Sequence, residues 1–394
     1  MTPDAHSVAL DVSSDVELIS SVGEVLAVPR VDPADSFVLH SALELCARAA
    51  LLPFVDVARR AEARHRIVEV ADQFEAFGDP VPPPADLTFG SLPEGAAYLD
   101  AAIERGELDD VDAAARWLGR SARASDLAPL LATSLIPRLG AAGHAPIFLS
   151  LLPRAAPRGE ITGELLRGLC RDLARHPTWR IQWINERDAV EQGAIGDRSS
   201  AELFRVLAEA PLLGRAASSF IYPLMSRVDT AECAGAMLAA VTSGRDVAER
   251  ARVLTRVAAW SMLNEPGDQA PYGWSHCLTM PQAVMAIASS CADPSIALAV
   301  AATYVLGFRS SLADAALDTT QEMFTASDLP EVRNASDRAT FGVLATNAAV
   351  HHDAHLVKYT LACIDAANDD PTHGRLYLAA AETLAGWWSA HPDR

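Results

Sequence analysis

"SFVLHSALELCARAALL", residues 36–52, decides the fold class of this chain. Its apolar residues recur at intervals of three and four, which places them on one face of an α-helix. Similar spacing continues beyond Pro53, and from residue 95 to residue 390 one helical pattern follows another. Several of these patterns begin at Ser, Thr or Asp and stop at Gly or Pro, as helices do. Strand-like alternation is nearly absent, so the sequence predicts an all-α protein.

The helical patterns predict a single large multi-helix domain with irregular helical packing. The 394 residues are enough for a large core. Residues 1–30 are acidic, and β-branched alternation in "VELISSVGEVLAV" predicts an N-terminal arm or a short strand there. Residues 31–394 are assigned to the helical domain, and the Pro/Gly-rich stretch 78–95 is interpreted as an internal loop.

The charge and the chain's apolar runs limit the possible partners. The formal net charge is −19, which argues against a nucleic acid or an anionic membrane, since both need a basic face. The start of the chain lacks a signal-peptide pattern, and the longest apolar run, residues 295–308, is too short to span a bilayer. Six cysteines without a CxxC pair indicate reduced thiols. We therefore expect a cytoplasmic protein, and the oligomeric state stays open.

Common catalytic motifs are missing from the sequence. Neither GxGxxG nor GxxxxGK[ST] occurs, so any NADPH dependence would require a partner reductase or an unrecognised site. GxSxG and HExxH are also absent. An enzyme with this sequence would rely on histidines, carboxylates or a bound metal.

Four of the eleven histidines lie in apolar helical surroundings: His40, His144, His276 and His355. Each of them alone is more often a satisfied core histidine than a ligand. Together they predict a metal site, because imidazole is the commonest nitrogen ligand. Five others are predicted to be terminal, surface or turn residues without a role, namely His6, His65, His176, His373 and His391.

Lys358 is the single lysine of the chain, against 31 arginines among 32 basic residues. It follows His355 by three positions, so on a helix the two share a face. Arginine supplies the positive charge elsewhere in the chain. The presence of one lysine therefore favours a function for this residue that requires a primary amine. A buried amine can act as a Schiff-base or general-base group, or react with CO2 to form a carbamate that ligates a metal. The alternative is an incidental lysine on a solvated face.

Four stretches, taken in order, resemble the questin oxidase-like family over about residues 35–390: "SFVLHSALE", "IPRLGAAGHAPIFLSLLP", "GWSHCLTMPQAV" and "DAHLVKYTLACIDAA". Members are α-helical oxygenases that open rings of anthraquinones and related polyketides, by Baeyer–Villiger-like or dioxygenase cleavage. The resemblance implies an aromatic or quinone substrate, O2, and a non-haem iron(II) held by four histidines and a carboxylated lysine. These carry over to His40, His144, His276, His355 and Lys358, of which His355 and Lys358 are the pair with the most specific motif and the predicted catalytic residues. His351 and His352 match no ligand and are interpreted as outer contacts or surface residues.

Other residues are candidates by their position next to the implied ligands. Glu44 and Asp353 could hydrogen-bond ligand histidines, with a solvated carboxylate as the alternative for Asp353. Four aromatic residues could pack against a flat substrate, with core packing as the alternative for the last two: Trp274, Tyr272, Phe148 and Tyr359.

Two other functions fit parts of the sequence. A metal-dependent hydrolase with a carbamylated lysine would use the same residue types, although such sites usually add an aspartate near the ligands. A non-catalytic helical interaction scaffold would fit the Ala/Leu-rich helices and the negative charge. The scaffold predicts no metal and a silent Lys358→Arg substitution.

Overall fold

The computed structural model describes residues 14–31, 36–156, 163–182, 200–214, 216, 221–229, 247–264, 271–317 and 339–392. Within these ranges there are sixteen α-helices and no strand, and two isolated bridges, Arg30 with Pro80 and Arg138 with Arg180, are the only β-type pairings. The all-α prediction is therefore confirmed. Residues 1–13 of the predicted arm and Cys233, one of the six cysteines, lie outside the described residues. The chain divides into two compact units.

The first unit comprises Met1–Arg180 and Ala345–Val357. Eight of its helices lie wholly within it: α1 (Asp15–Leu26), α2 (Ser36–Leu51), α3 (Arg60–Glu75), α4 (Leu92–Arg105), α5 (Leu108–Ser121), α6 (Ala124–Leu135), α7 (Ala145–Ala155) and α8 (Leu166–Arg175). Helix α2 packs against α1, α3 and α7, and α5 packs against α4 and α8. The stretch that decides the fold class therefore forms a central helix of this unit.

The segment predicted as an arm or short strand is helix α1. Its start is a capping box, in which the Glu17 amide donates to Ser14 Oγ at 3.2 Å and the Ser14 amide donates to the Glu17 carboxylate at 2.7 Å. Leu18, Val22 and Leu26, spaced four residues apart, are buried. The strand prediction is wrong because the cap and the helical period of the apolar residues outweigh their β-branched composition.

The second unit comprises Ile181–Leu344 and Lys358–Arg394. Six helices lie wholly within it: α9 (Ser200–Ala208), α10 (Ile221–Asp229), α11 (Val247–Leu263), α12 (Tyr272–Ala286), α13 (Pro294–Leu312) and α16 (Gly374–Ala390). Helix α11 packs against α9, α12, α13 and α16, and α13 also packs against α10 and α12. Two helices contribute residues to both units, α14 (Ala339–Val350) and α15 (Ala354–Asp369).

Among the described residues, the two segments Phe37–Phe54 and Pro294–Leu312 are long and apolar enough to cross a membrane if only length and composition are considered. The second is longer than the apolar run at residues 295–308 suggested, because its helix starts and ends outside that run. Most of each segment is buried inside the fold, namely 67% of the first and 83% of the second. Buried core helices pass the same test, so these segments are weak grounds for a membrane location.

Candidate metal centre

Three of the four predicted histidine ligands meet within the first unit. The ring centroid of His40, on α2, lies 4.5 Å from that of His144 and 4.8 Å from that of His355. The rings are inclined to that of His40 by 82° and 59° respectively. One ring nitrogen of His40 lies within 4.8 Å of one of His144, and both residues are buried. Residues far apart in sequence thus form a compact cluster of imidazoles, which we call the histidine cluster (His40, His144 and His355).

A strained turn presents His144. The two residues Ala141 and Ala142 have φ angles of 50° and 48°, and Gly143 follows with 67°. The left-handed conformation costs an L-residue with a side chain about 1–2 kcal/mol, so alanine is an unfavourable choice at two successive positions. The turn directs the Ala141 carbonyl to His144 Nδ1 at 2.9 Å. Since a carbonyl only accepts, Nδ1 carries the proton, which leaves Nε2 with a lone pair for a metal.

Asp353 orients His355 from the start of α15. Its Oδ1 accepts the Leu356 amide at 2.8 Å, which caps the helix, and its Oδ2 lies 3.4 Å from His355 Nδ1. The contact expected between Asp353 and a ligand histidine is therefore present. As for His144, this contact occupies Nδ1 and leaves Nε2 of His355 for a metal.

His351 has a structural task in the loop that precedes α15. The Asp353 amide donates to His351 Nδ1 at 3.0 Å. Burial lowers the pKa of His351 to about 4, with a further contribution from His352, so the ring is neutral at pH 7 and can accept this bond. The rings of His351 and His352 stack with their centroids 4.3 Å apart. This arrangement agrees with the interpretation that both are outer residues.

Glu44 and Arg48 form a buried ion pair on α2, one and two turns after His40. Glu44 Oε1 accepts from Arg48 Nε at 2.8 Å and from Nη2 at 2.5 Å. These bonds run to Arg48, and the expected bond from Glu44 to a ligand histidine stays a prediction. Arg48 is not among the residues predicted from the sequence, although an acidic and a basic residue four positions apart in an apolar helical run are a recognisable signal.

Lys358 lies on α15, one turn after His355, and is only 3% exposed. Its burial excludes the solvated helix face that was the alternative for this residue. The next residue, Tyr359, is fully buried, and burial together with the neighbouring Cys363 raises the pKa of its hydroxyl. Phe148, one turn after His144, is buried as well and lines a narrow apolar cleft with Leu39 and Leu43. For Tyr359 and Phe148, core packing accounts for these positions.

In the second unit, His276 lies on α12 and, like His144, has its Nδ1 next to a backbone carbonyl earlier in the chain. Its Nδ1 donates to the Tyr272 carbonyl at 2.7 Å, which again leaves Nε2 for a metal. Its ring lies nearly parallel to that of Phe308, with centroids 6.4 Å apart. The Tyr272 ring lies 6.3 Å from that of Trp388, and Trp274 is buried. Tyr272 thus serves His276 through its backbone, a role that the sequence did not suggest.

No family model matches the chain, and neither the curated proteins nor the solved structures contain a match.

Proposed function

We propose that this chain is a non-haem iron-dependent oxygenase that opens a ring of an anthraquinone-like or other polycyclic aromatic polyketide. The observation that carries the proposal is the histidine cluster. Buried polar groups are costly unless they are satisfied, and a buried imidazole is commonly satisfied by a carboxylate or a carbonyl. Here the rings of His144 and His355, each with Nδ1 already engaged, both lie next to the ring of His40, an arrangement typical of a shared metal ion.

The spacing of the rings is close enough for a shared ion. The ring centroids of His144 and His355 lie 4.5 Å and 4.8 Å from that of His40. The choice of iron, and of an oxygenase over a hydrolase, rests on the resemblance.

The proposed ligands are the histidine cluster together with His276 and Lys358. His276 and Lys358 are added because the resemblance implies them as ligands. Burial of Lys358 favours the neutral amine, which is the form that reacts with CO2. The resulting carbamate would supply an anionic oxygen, which suits iron better than an ammonium group does. The donor set therefore fits the iron centre that the resemblance implies.

Within this site the chain's own groups hold and orient the ligands. Iron bound there would supply the activation of O2 for oxygen insertion and carbon–carbon cleavage beside a carbonyl. The Ala141 and Tyr272 carbonyls keep His144 and His276 protonated at Nδ1, and Asp353 does the same for His355. Burial of His40 and His144 would limit the access of bulk water to a metal bound there. A polycyclic quinone is proposed as substrate from the resemblance and from the aromatic residues adjacent to the ligands in sequence.

Metal analysis, followed by an oxygen-uptake assay, tests this proposal. We expect about one iron per chain in protein purified without chelators. With a hydroxylated anthraquinone as probe and a chemical reductant, we expect O2 uptake and a ring-opened product that contains added oxygen. Zinc without O2 uptake would support the hydrolase instead. Protein that binds no metal, even after anaerobic addition of iron(II), would support the scaffold.

A further inference from the structure

Between α14 and α15, three consecutive backbone carbonyls are held by two arginines. Arg48 donates from Nη1 to the Ala349 carbonyl and from Nη2 to the His351 carbonyl, each at 2.6 Å. Arg66, on α3, donates from Nε to the Val350 carbonyl at 2.9 Å. The last carbonyls of a helix have no partner within the helix, and here two guanidinium groups take that place. We call Arg48 and Arg66 the carbonyl clamp.

The clamp links the helix of one candidate ligand to the loop that leads to another. Arg48 is 1% exposed and is fixed by Glu44, one turn after His40 on the same helix. On the other side, the clamped His351 accepts the Asp353 amide, and the Asp353 carboxylate contacts His355. A continuous set of hydrogen bonds therefore runs from α2 to the ring of His355.

We propose that Arg48 and Arg66 are positioning residues for the metal centre, and that they set the location of His355 relative to His40. This inference rests on the proposed metal-binding function. Ligand rings must be held to within about 0.5 Å of a productive geometry, which requires support from fixed neighbours. Arg48 is suited to this task because its planar guanidinium reaches Glu44 and two carbonyls at once. A lysine, with its single compact charge, cannot reproduce that geometry.

A matched pair elsewhere in the same unit separates positioning from general stability. Arg167 is 5% exposed, donates from Nε to Asp112 at 2.5 Å, and donates from Nη1 to the Ala27 carbonyl at 3.2 Å. Like Arg48, it joins a buried carboxylate to a backbone carbonyl. Its described bonds do not lead to the histidine cluster. Loss of either arginine should destabilise the unit, but only loss of Arg48 should affect the metal.

The experiment compares Arg48→Lys, Arg167→Lys and the unmodified chain in anaerobic titrations with cobalt(II). Cobalt(II) is chosen because its visible spectrum reports both binding and coordination geometry. We expect Arg48→Lys to weaken cobalt binding by about 10- to 100-fold, the range seen when groups that support metal ligands are removed. Its visible bands should also differ from those of the unmodified chain. Arg167→Lys should lower the melting temperature yet keep the original affinity and spectrum.

The outcomes distinguish this inference from the proposed function. If the unmodified chain fails to bind cobalt(II) or iron(II), the metal-binding function itself is wrong. If it binds, and Arg48→Lys has the same affinity and spectrum as Arg167→Lys, the positioning role is wrong and the function stands. Should Arg48→Lys not fold, Arg66→Gln decides, since Arg66 is partly exposed and contributes one of the three carbonyl bonds. Unchanged cobalt binding in that variant would overturn the inference.

Discussion

Buried histidines occur in two different settings in this protein. In the second unit, His373 Nδ1 lies 3.1 Å from Asp370, which also accepts from Arg256 Nε at 2.6 Å and from the Tyr377 hydroxyl at 3.1 Å. In the first unit, the ring of His40 instead has two other imidazoles as close neighbours. Burial alone therefore does not mark a ligand. His373, beside a carboxylate that also binds a guanidinium, belongs to a structural network, whereas the imidazoles grouped around His40 are the basis of the proposed metal site.

The largest effect that we expect is a loss of bound iron when His355, but not His373, is substituted. His355→Ala should reduce bound iron from about one per chain to nearly none, because it removes a ligand from a site whose other ligands are fixed. His373→Ala should leave the iron content per folded chain unchanged. Elemental analysis of both proteins, after removal of unfolded material, makes the measurement.

A second control tests whether a bonded Nδ1 is enough to define a ligand. His391 Nδ1 bonds the Trp387 carbonyl at 2.7 Å, as His144 and His276 bond their own carbonyls. His391→Ala should keep the full iron content. Loss of iron in that variant, or its retention in His355→Ala, would contradict the assignment of the histidine cluster.

Lys358→Arg should remove turnover and lower the iron content. The reason is that a guanidinium stays charged and cannot form a carbamate. We expect at least a 100-fold loss of oxygenase rate, in line with the upper effect of supporting groups at metal sites. Bicarbonate labelled with carbon-13 should give a carbamate signal in the unmodified chain and none in the variant. A variant with full activity would remove the proposed role of the lysine.

The structural network of the second unit should respond in stability rather than in metal. Asp370→Asn removes one of the two carboxylates that pair with the buried Arg256 guanidinium, while Glu249 stays 3.1 Å from its Nη1. Loss of a buried pair costs about 3–5 kcal/mol of the free energy of unfolding when no partner remains, so we expect a loss of about 2–3 kcal/mol here. Urea unfolding measures the loss, and the iron content of the folded fraction should stay at the unmodified level. If Asp370→Asn leaves the free energy of unfolding unchanged, the network contributes little to the stability of the fold.

The same aspartate predicts a pH dependence. Burial would raise the pKa of Asp370, but hydrogen bonds from His373 and Arg256 lower it below its ordinary value. A carboxyl with a depressed folded-state pKa stabilises the fold above its unfolded pKa of about 4, and this contribution is lost as the pH falls further. The urea midpoint of the unmodified chain should therefore fall more between pH 5 and pH 3 than that of Asp370→Asn. Parallel pH profiles would contradict this account.

Ala142→Gly should have the smallest effect and the opposite sign. Glycine adopts the left-handed conformation without strain, so the substitution should raise the free energy of unfolding by about 0.5–1 kcal/mol. Ala128→Gly, inside helix α6, should lower it by a similar amount because glycine is a poor helix former. Thermal unfolding of the two variants gives the comparison. If Ala142→Gly is as destabilising as Ala128→Gly, the turn before His144 is not strained.

Local sequence predicts the helices well because their period and caps are properties of neighbouring residues. Among the described helices, the sequence pattern fails to predict α1, because its β-branched residues obscure the capping box at its start. Which polar groups are buried depends on distant partners. His373 is predicted as a turn residue without a role, because "DPTHGR" is polar, yet it is buried beside Asp370, whose partner Arg256 is 114 positions away. Arg48 reaches a carbonyl 301 positions away, which no local pattern could reveal.

The burial of the single lysine has a practical consequence for chemical labelling. Within these 394 residues only one side chain is a primary amine, and it is enclosed by the fold. Amine-reactive reagents would therefore leave the side chains of the folded protein unmodified and label one position on unfolding. A protease that cleaves after lysine would likewise cut once, between Lys358 and Tyr359, and only when the chain opens. The fraction of chains that are cut or labelled therefore measures how often the part of helix α15 around Lys358 becomes exposed to solvent.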